Sequence, residues 1–458
     1  MDKIVAIAIT VLFACSSLVT AGLSEKDYFI SSADDKLDMV VIAPEFFSDA
    51  LRQLIEYKNS VGINTLLKTT EEIYSEYNGR DDSEQLKYFI KEAYDEMNIS
   101  YVLLIGGRKP GFVEEWFVPV RYATFKTMGY QNSYISDLYF SDIYDDEGVF
   151  QTWDRNNDDL FGTLRDNPDC HPDICVGRWP CRTTVELQTM IEKTIAYETS
   201  QIKHKRFISV GGDTFIDDEH YNEGEMITNA SASCLQDFEV VNVFSSETIV
   251  SADTIQTALG DGAMFMHFKG HGWVTYWNTY VNDKVWEESE PGFGIWNIPH
   301  FSNSEYPIVL FGGCNTAMCN VSVFHHPFTW LEDSDLPIFC KYFPAFESIT
   351  WAFTRKPDGG SVAGIGYTGM AGGWYGENGD LDNDGIEEPD CVECGSGFLE
   401  IGFFEAIGKN HSSHLGPCMN YALEKYILVH EIDINTISNI QKFILFGDPS
   451  LKIGGYPN

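Results

Sequence analysis

An α/β fold built on mainly parallel strands is predicted by three features of this 458-residue sequence. Short apolar runs, the length of buried strands, alternate with stretches whose apolar residues recur at helical spacing, as in a parallel sheet covered by helices. Several of these runs stop on glycine: Tyr101–Ile105 before Gly106-Gly107, Phe207–Val210 before Gly211-Gly212, and Pro307–Phe311 before Gly312-Gly313. With 44% hydrophobic and 14% aromatic residues the chain has ample material for a core.

Taken in order, Asp38–Ala43 (DMVVIA) reads as a strand, followed by a helix with Leu51, Leu54 and Ile55 on one face, which Gly62 ends. Ile63–Lys68 is a second strand, Glu84–Met97 a helix and Tyr101–Ile105 a third strand. A loop-rich stretch runs from Arg108 to Cys170, and Pro172–Gly177 then restarts the α/β rhythm. Thr183 and Glu186 have capping-box spacing and open a helix carrying Leu187, Met190, Ile191 and Ile195 on one face. A strand over Phe207–Val210, a helix near Glu223–Leu235, a strand near Glu239–Phe244 and a short helix near Asp253–Leu259 lead to a further strand at Ala263–Lys269. After Cys314 come a strand at Ser361–Tyr367, a Gly- and Asp-rich loop, helices near Phe398–Ile407 and Pro417–Val429, and a closing segment, Phe443–Ile453.

Two of the strand endings carry chemistry. Ala263–Trp273 (AMFMHFKGHGW) closes on Gly270-His271-Gly272, which leaves an imidazole unobstructed, and 43 positions further on a second buried strand ends on Cys314. Neighbouring strands lie about 4.8 Å apart, and ligands collect beyond the carboxyl ends of parallel strands. If these strands adjoin, thiol and imidazole overhang one crevice, the arrangement a cysteine nucleophile needs. A single such ending is more often a small core cysteine or a loop histidine; the pair is harder to dismiss.

Composition narrows the partners. With 30 basic and 69 acidic residues the formal charge is −39, which argues against nucleic acid and anionic membrane surfaces. It fits a secreted protein, a cation binder or a salt-adapted one. Residues 4–14 (IVAIAITVLFA) follow Lys3 and run to Val19-Thr20-Ala21, the layout of a signal peptide spanning 1–21. The run is too short for a transmembrane helix, and no later segment is long and apolar enough to span. Export makes disulfides an expectation, within Cys170, Cys175 and Cys181 and around Cys391, Cys394 and Cys418. Cys391-x-x-Cys394 alternatively reads as half a zinc site, but no second pair completes it.

Taken together, ALRQLIEYKNSVGINT (50–65), YVLLIGG (101–107), DICVGRWP (173–180), TIAYE (194–198), KGHG (269–272), PIVLFGGC (307–314) and FGDPSL (446–451) resemble the gingipain-like cysteine peptidases, relatives of caspases and legumains. The resemblance implies a caspase-like three-layer α/β/α sandwich in two tandem subdomains: an N-terminal α/β subdomain at 22–170 that mimics an inactive copy, and a catalytic subdomain at 171–458. It implies His271 as general acid/base, Cys314 as nucleophile, and the N–H groups of Gly272 and Cys314 as an oxyanion hole. Asp213 matches the family's acidic residue near the histidine and is expected to orient its ring. Trp374 falls where the family builds its substrate pocket. Asp217, Asp218 and Glu219 lie in the loop that, in arginine-cutting relatives, places a carboxylate at the base of S1, which implies a preference for Arg or Lys before the cut bond. The family's large propeptide and following immunoglobulin-like domain have no match in this sequence.

Asp380-x-Asp382-x-Asp384-Gly385 has the alternate-carboxylate spacing of a calcium loop, although position 12 would be Cys391 rather than Glu. Asp154-x-Asn156-x-Asp158 is a weaker version without the glycine. Relatives bind structural calcium, so a structural Ca²⁺ is expected at Asp380, Asp382 and Asp384; the alternative is a solvated acidic turn. His325-His326 and His411-x-x-His414 lack framing ligands and read as surface histidines. The sequence thus points to a secreted cysteine endopeptidase acting on protein or peptide substrates. Its rivals are a transpeptidase using the same dyad and a calcium-stabilised binding protein without turnover.

Overall fold

The structure, a computed structural model, describes residues 36–127, 130–200, 204–215, 221–280, 292–322 and 345–457. The expected signal peptide, Asp217, Asp218, Glu219 and His325-His326 lie outside these residues.

Two sheets form the frame. The first has four parallel strands in the order Thr65–Thr69, Met39–Ala43, Tyr101–Ile105, Cys175–Trp179. The second has six, in the order Phe443–Phe446, Ala363–Tyr367, Ile308–Gly312, Phe265–Lys269, Arg206–Gly211, Glu239–Phe244, all parallel except the first. The strand at Cys175–Trp179, expected to open the second half, instead completes the first sheet beside Tyr101–Ile105.

Helices cover both faces, and the period-two alternation of the strands sorts their side chains between them. Met39, Val41, Leu103 and Ile105 face Leu51, Leu54, Leu187 and Met190 of the helices Ser48–Ser60 and Thr184–Thr199. Val40, Ile42, Val102 and Leu104 turn to the opposite side, where Leu86, Phe89 and Ile90 of Asp82–Met97 pack. In the second sheet Phe207 and Phe265 share a core with Phe403 and Phe404 of the helix Gly395–Gly408. Ile208, Val210, Met266 and Phe268 pack on the other face with Ile255, Leu259, Ile349 and Phe353. This is the α/β/α sandwich. Thr183 caps its helix by accepting the Glu186 N–H, but the Glu186 carboxylate takes the Arg182 N–H, so only half of the expected capping box forms.

The motifs that looked most family-specific hold the frame together. Lys58, Glu198 and Asp448, from three of them, meet with fully buried side chains: Lys58 Nζ lies 2.9 Å from Glu198 Oε2 and 2.6 Å from Asp448 Oδ2. Burial alone would lower the Lys58 ammonium; Asp448 and Glu198 outweigh it and hold it above its usual value. Arg178 of the VGR motif is fully buried, forked onto both Asp137 carboxylate oxygens at 2.8 Å, and donates to the carbonyls of Val118 and Pro119.

The expected disulfides are absent among the described residues. Cys170, Cys175, Cys181, Cys391 and Cys418 are buried as small core side chains, and burial pushes the thiols of Cys175 and Cys391 up to about 12. No described helix is long and apolar enough to cross a membrane.

Candidate active site

Three central strands of the second sheet end in one row: Lys269 is in register with Gly211 on one side and Gly312 on the other. Two residues past each end stand Asp213, His271 and Cys314. The strands at Phe265–Lys269 and Ile308–Gly312 are buried along their whole length, as their apolar runs predict, and they adjoin.

Glycine lets the loops beyond these ends close on each other. A Cβ on Gly272 would lie 2.5 Å from Thr316 Cγ2 and 2.7 Å from the Cys314 carbonyl oxygen; one on Gly313 would lie 2.7 Å from the Gly272 nitrogen. The histidine and cysteine loops are therefore in backbone contact, closer than any side chain would permit. Cys314 is followed by Asn315 in the left-handed region (φ 59), a sharp turn closed when the Asn315 N–H donates to the Gly369 carbonyl. The Cys314 thiol lies 3.7 Å from the Ala371 carbonyl oxygen.

His271 Nε2 lies 2.8 Å from the Thr214 carbonyl oxygen, and its ring centroid lies 4.6 Å from that of Tyr280. A carbonyl only accepts, so Nε2 carries the proton, and in the neutral ring Nδ1 is the accepting nitrogen. Burial lowers the imidazole pKa below its usual value, against the opposing effect of the Thr214 hydrogen bond.

Asp213 is buried directly before Thr214, and its carbonyl accepts from Tyr280 N–H (3.0 Å) and Thr279 Oγ1 (2.6 Å). The Thr214 N–H donates to Glu223 Oε2 at 3.1 Å. Glu223 opens the helix Glu223–Ser233, which docks on the strand ends through Gly224, where a Cβ would meet the Lys269 carbonyl oxygen at 2.3 Å. Thr214, Glu223 and Tyr280 were not legible as site residues: a backbone carbonyl has no sequence signature, and Glu223 reads only as an acid near a helix start.

The strand that leads to His271 carries a buried polar cluster concealed in an apolar run. His267 Nε2 is 2.9 Å from Glu400 Oε2; Lys269 Nζ is 2.8 Å from Glu400 Oε1 and 2.7 Å from Ser396 Oγ; the Tyr367 hydroxyl donates to Glu400 Oε1 at 3.0 Å. Burial alone would raise the Glu400 carboxyl, but Lys269 and His267 outweigh it and hold it below the usual carboxylate value. The cluster ties the histidine strand to the helix Gly395–Gly408, whose first residues touch the loop after Ala363–Tyr367: the Ser396 N–H donates to the Gly372 carbonyl.

Trp374 lies in that loop, half exposed, three residues beyond Ala371 and against Gly395. The rings of Phe215 and Tyr375 meet beside it at a 42° tilt, with centroids 4.7 Å apart. The carboxylates of Asp380, Asp382 and Asp384 converge, one oxygen of each within 4.8 Å of the others. Their Oδ1 atoms accept N–H groups of Gly385, Asp384 and Ile386, so the loop is wrapped around its own acids.

A sequence profile described as peptidase family C25 matches residues 32–454. The chain therefore belongs to peptidase family C25, a family of gingipain-like cysteine peptidases. It is similar to gingipain R2 of Porphyromonas gingivalis (strain ATCC BAA-308 / W83), with 22% identity over 288 residues covering 60% of this chain and 32% of that protein. Gingipain R1 of Porphyromonas gingivalis is 21% identical over 288 residues, 60% of this chain and 24% of that protein. The chain thus spans a third or less of the length of these relatives. The crystal structure of the Arg-specific cysteine proteinase gingipain R superposes with a TM-score of 0.60 at 17% identity, covering 93% of this chain and 80% of that one, a likeness of fold.

Proposed function

We propose that this chain is a secreted cysteine endopeptidase in which Cys314 is the nucleophile and His271 the general acid/base. The observation that carries the reading is the aligned row of strand ends, Gly211, Lys269 and Gly312, which sets Asp213, His271 and Cys314 over one edge of the sheet. Cys314 gives its proton to His271 Nδ1 and the thiolate attacks the scissile carbonyl. The N–H groups of Gly272 and Cys314 stabilise the oxyanion, a role favoured by the backbone contact between their loops. The imidazolium protonates the leaving amine, and the remaining thioester is hydrolysed by water that His271 deprotonates. Asp213 acts on the ring through the loop it begins, since the Thr214 carbonyl holds Nε2.

Trp374 walls the substrate cleft, and Asp217 or Asp218 confers a preference for a basic residue before the cut bond. The arginine specificity named for gingipain R supports this by kinship alone. The loop of Asp380, Asp382 and Asp384 holds a structural calcium. Its fit rests on converging oxygen donors and on Gly385 turning at φ 88, and the ion would add rigidity rather than chemistry.

Product analysis tests the reaction. Purified protein given a peptide and an excess of added amine should release free carboxyl termini; amide products in their place would establish transpeptidation. A thiol-reactive peptide probe that fails to label Cys314 would leave only the non-catalytic binding reading.

A further inference from the structure

We propose that Asn439 and Lys442 are positioning residues for Cys314, acting through the Ala371 carbonyl; the inference rests on Cys314 being the nucleophile. The loop after the strand Ala363–Tyr367 runs past the thiol. Its Gly369 carbonyl accepts the Asn315 N–H at 2.8 Å, and its Ala371 carbonyl oxygen lies 3.7 Å from Cys314 Sγ. A carbonyl only accepts, so in this pair the thiol is the donor.

The peptide that carries the Ala371 carbonyl is held on both sides by one helix, Ile434–Lys442. Before it, Lys442 Nζ donates to the Met370 carbonyl at 2.8 Å, and the lysine stem lies against Gly369, where a Cβ would meet Lys442 Cδ and Cε at 3.1 Å. After it, Asn439 Oδ1 accepts the Gly372 N–H at 2.8 Å, with Asn439 Nδ2 at 3.4 Å from the Gly372 carbonyl oxygen. The Ser396 N–H holds that same oxygen from the far side at 2.7 Å. Asn439 and Lys442 are both buried, and their spacing of three puts them on one face of the helix.

The helix is braced in turn by the N-terminal half, through the hairpin of Tyr122–Thr127 and Tyr130–Ile135. The Tyr134 hydroxyl donates to Gln441 Oε1 at 2.8 Å, and the Lys442 ammonium lies 4.6 Å from the Tyr134 ring centroid and 5.7 Å from that of Phe125. The Thr368 Oγ1 donates to the Ile135 carbonyl at 2.6 Å where the loop begins. An acceptor fixed in this way gives the thiol one orientation and favours its neutral form. Proton transfer to His271 then starts from a defined sulfur position, which is what orientation contributes to rate.

The experiment compares full-length Asn439→Ala, Asn439→Asp and Lys442→Met with the wild type. One readout is peptide turnover; the other is alkylation of Cys314 by iodoacetamide at neutral pH, followed at that residue by mass spectrometry. Asn439→Ala and Lys442→Met should each lower kcat about tenfold while KM stays within about threefold. The same variants should alkylate Cys314 about threefold faster, because the thiol has lost its acceptor. Asn439→Asp, which still accepts the Gly372 N–H, should return both readouts most of the way; Lys442→Met decides if Asn439→Ala does not fold. Unchanged Cys314 alkylation in folded variants, unchanged kcat in an active enzyme, or Asn439→Asp no better than Asn439→Ala would overturn the proposal and leave the peptidase reading standing. Alkylation needs no turnover, so a chain that cleaves nothing yet shows these alkylation changes would lose the peptidase reading and keep the contact.

Discussion

Lys269 is the register partner of Gly312, so His271 and Cys314, each two residues further on, leave adjacent strands at the same level. Gly211 pairs with Lys269 on the other side and brings Asp213 and Thr214 into the same row. The juxtaposition of His271 and Cys314 is therefore a consequence of sheet register together with two glycine contacts that let the loops close. Loop contacts around Thr214 and Ala371 then fix the side chains.

Glu223 is expected to act on His271 through Thr214. Glu223→Ala should lower kcat/KM about tenfold, the equivalent of about 1.4 kcal/mol of lost positioning, and Glu223→Gln, which can still accept the Thr214 N–H, should restore most of it. The sign of the pH effect follows from burial, which disfavours imidazolium and lowers the His271 pKa beneath its usual 6.5. The neutral, proton-accepting ring thus persists as pH falls through 6.5, and the acid limb of the wild-type kcat/KM profile lies below that value. In Glu223→Ala, with the loop loosened and water admitted, the limb should move back toward 6.5. An unchanged profile and rate would reduce Glu223 to a structural acid.

Glu400→Ala should destabilise the protein by about 3–5 kcal/mol, because it strands the buried Lys269 ammonium and removes the partner of His267. Urea unfolding of the variant measures this, and a loss under about 1 kcal/mol would show that water or a rearranged hydroxyl replaces the carboxylate.

How far the sequence foretold this site follows from the same residues. Short apolar runs and helical patterning located most strands of both sheets, and the glycines beside His271 and Cys314 marked where strands end. Buried charge was the hidden part: His267 and Lys269 stand inside a run that reads as apolar, and Glu400 lies 131 positions from Lys269. The cysteines misled because exported chains favour disulfides, whereas here Cys170, Cys175, Cys181, Cys391 and Cys418 are packed as small core residues. The strand at Cys175–Trp179 reads only as a restart of the α/β rhythm, because its apolar pattern does not specify its neighbour; in the structure it pairs with Tyr101–Ile105.

Calcium should raise Tm through Asp380, Asp382 and Asp384, by linkage to a site present only in the folded chain. Addition of millimolar calcium after exhaustive chelation should shift the melting curve, and Asp382→Asn should remove that shift. A curve indifferent to calcium would dismiss the loop as a solvated turn.

Specificity is read from the ratio of kcat/KM for otherwise identical peptides with Arg, Lys, Leu, Asn or Asp before the cut bond. Arg or Lys should lead by at least tenfold, and Asp217→Asn or Asp218→Asn should erase the lead. The chain's net charge of −39 speeds the approach of any cationic peptide, so binding rates alone do not decide the matter. Leu, Asn or Asp ahead of both basic residues would sink the specificity while leaving the dyad intact.

The most direct test is hydrolysis of a peptide library by the wild-type protein beside Cys314→Ala, His271→Ala, the double variant and Cys319→Ala. Residues acting as a unit are non-additive, so each dyad variant should lose essentially all turnover, the double variant should be no worse, and all should melt as the wild type does. Cys319→Ala should stay active, since burial pushes the Cys319 thiol up to about 12. Cleavage that survives Cys314→Ala, or vanishes with Cys319→Ala in a folded protein, would contradict Cys314 as the nucleophile.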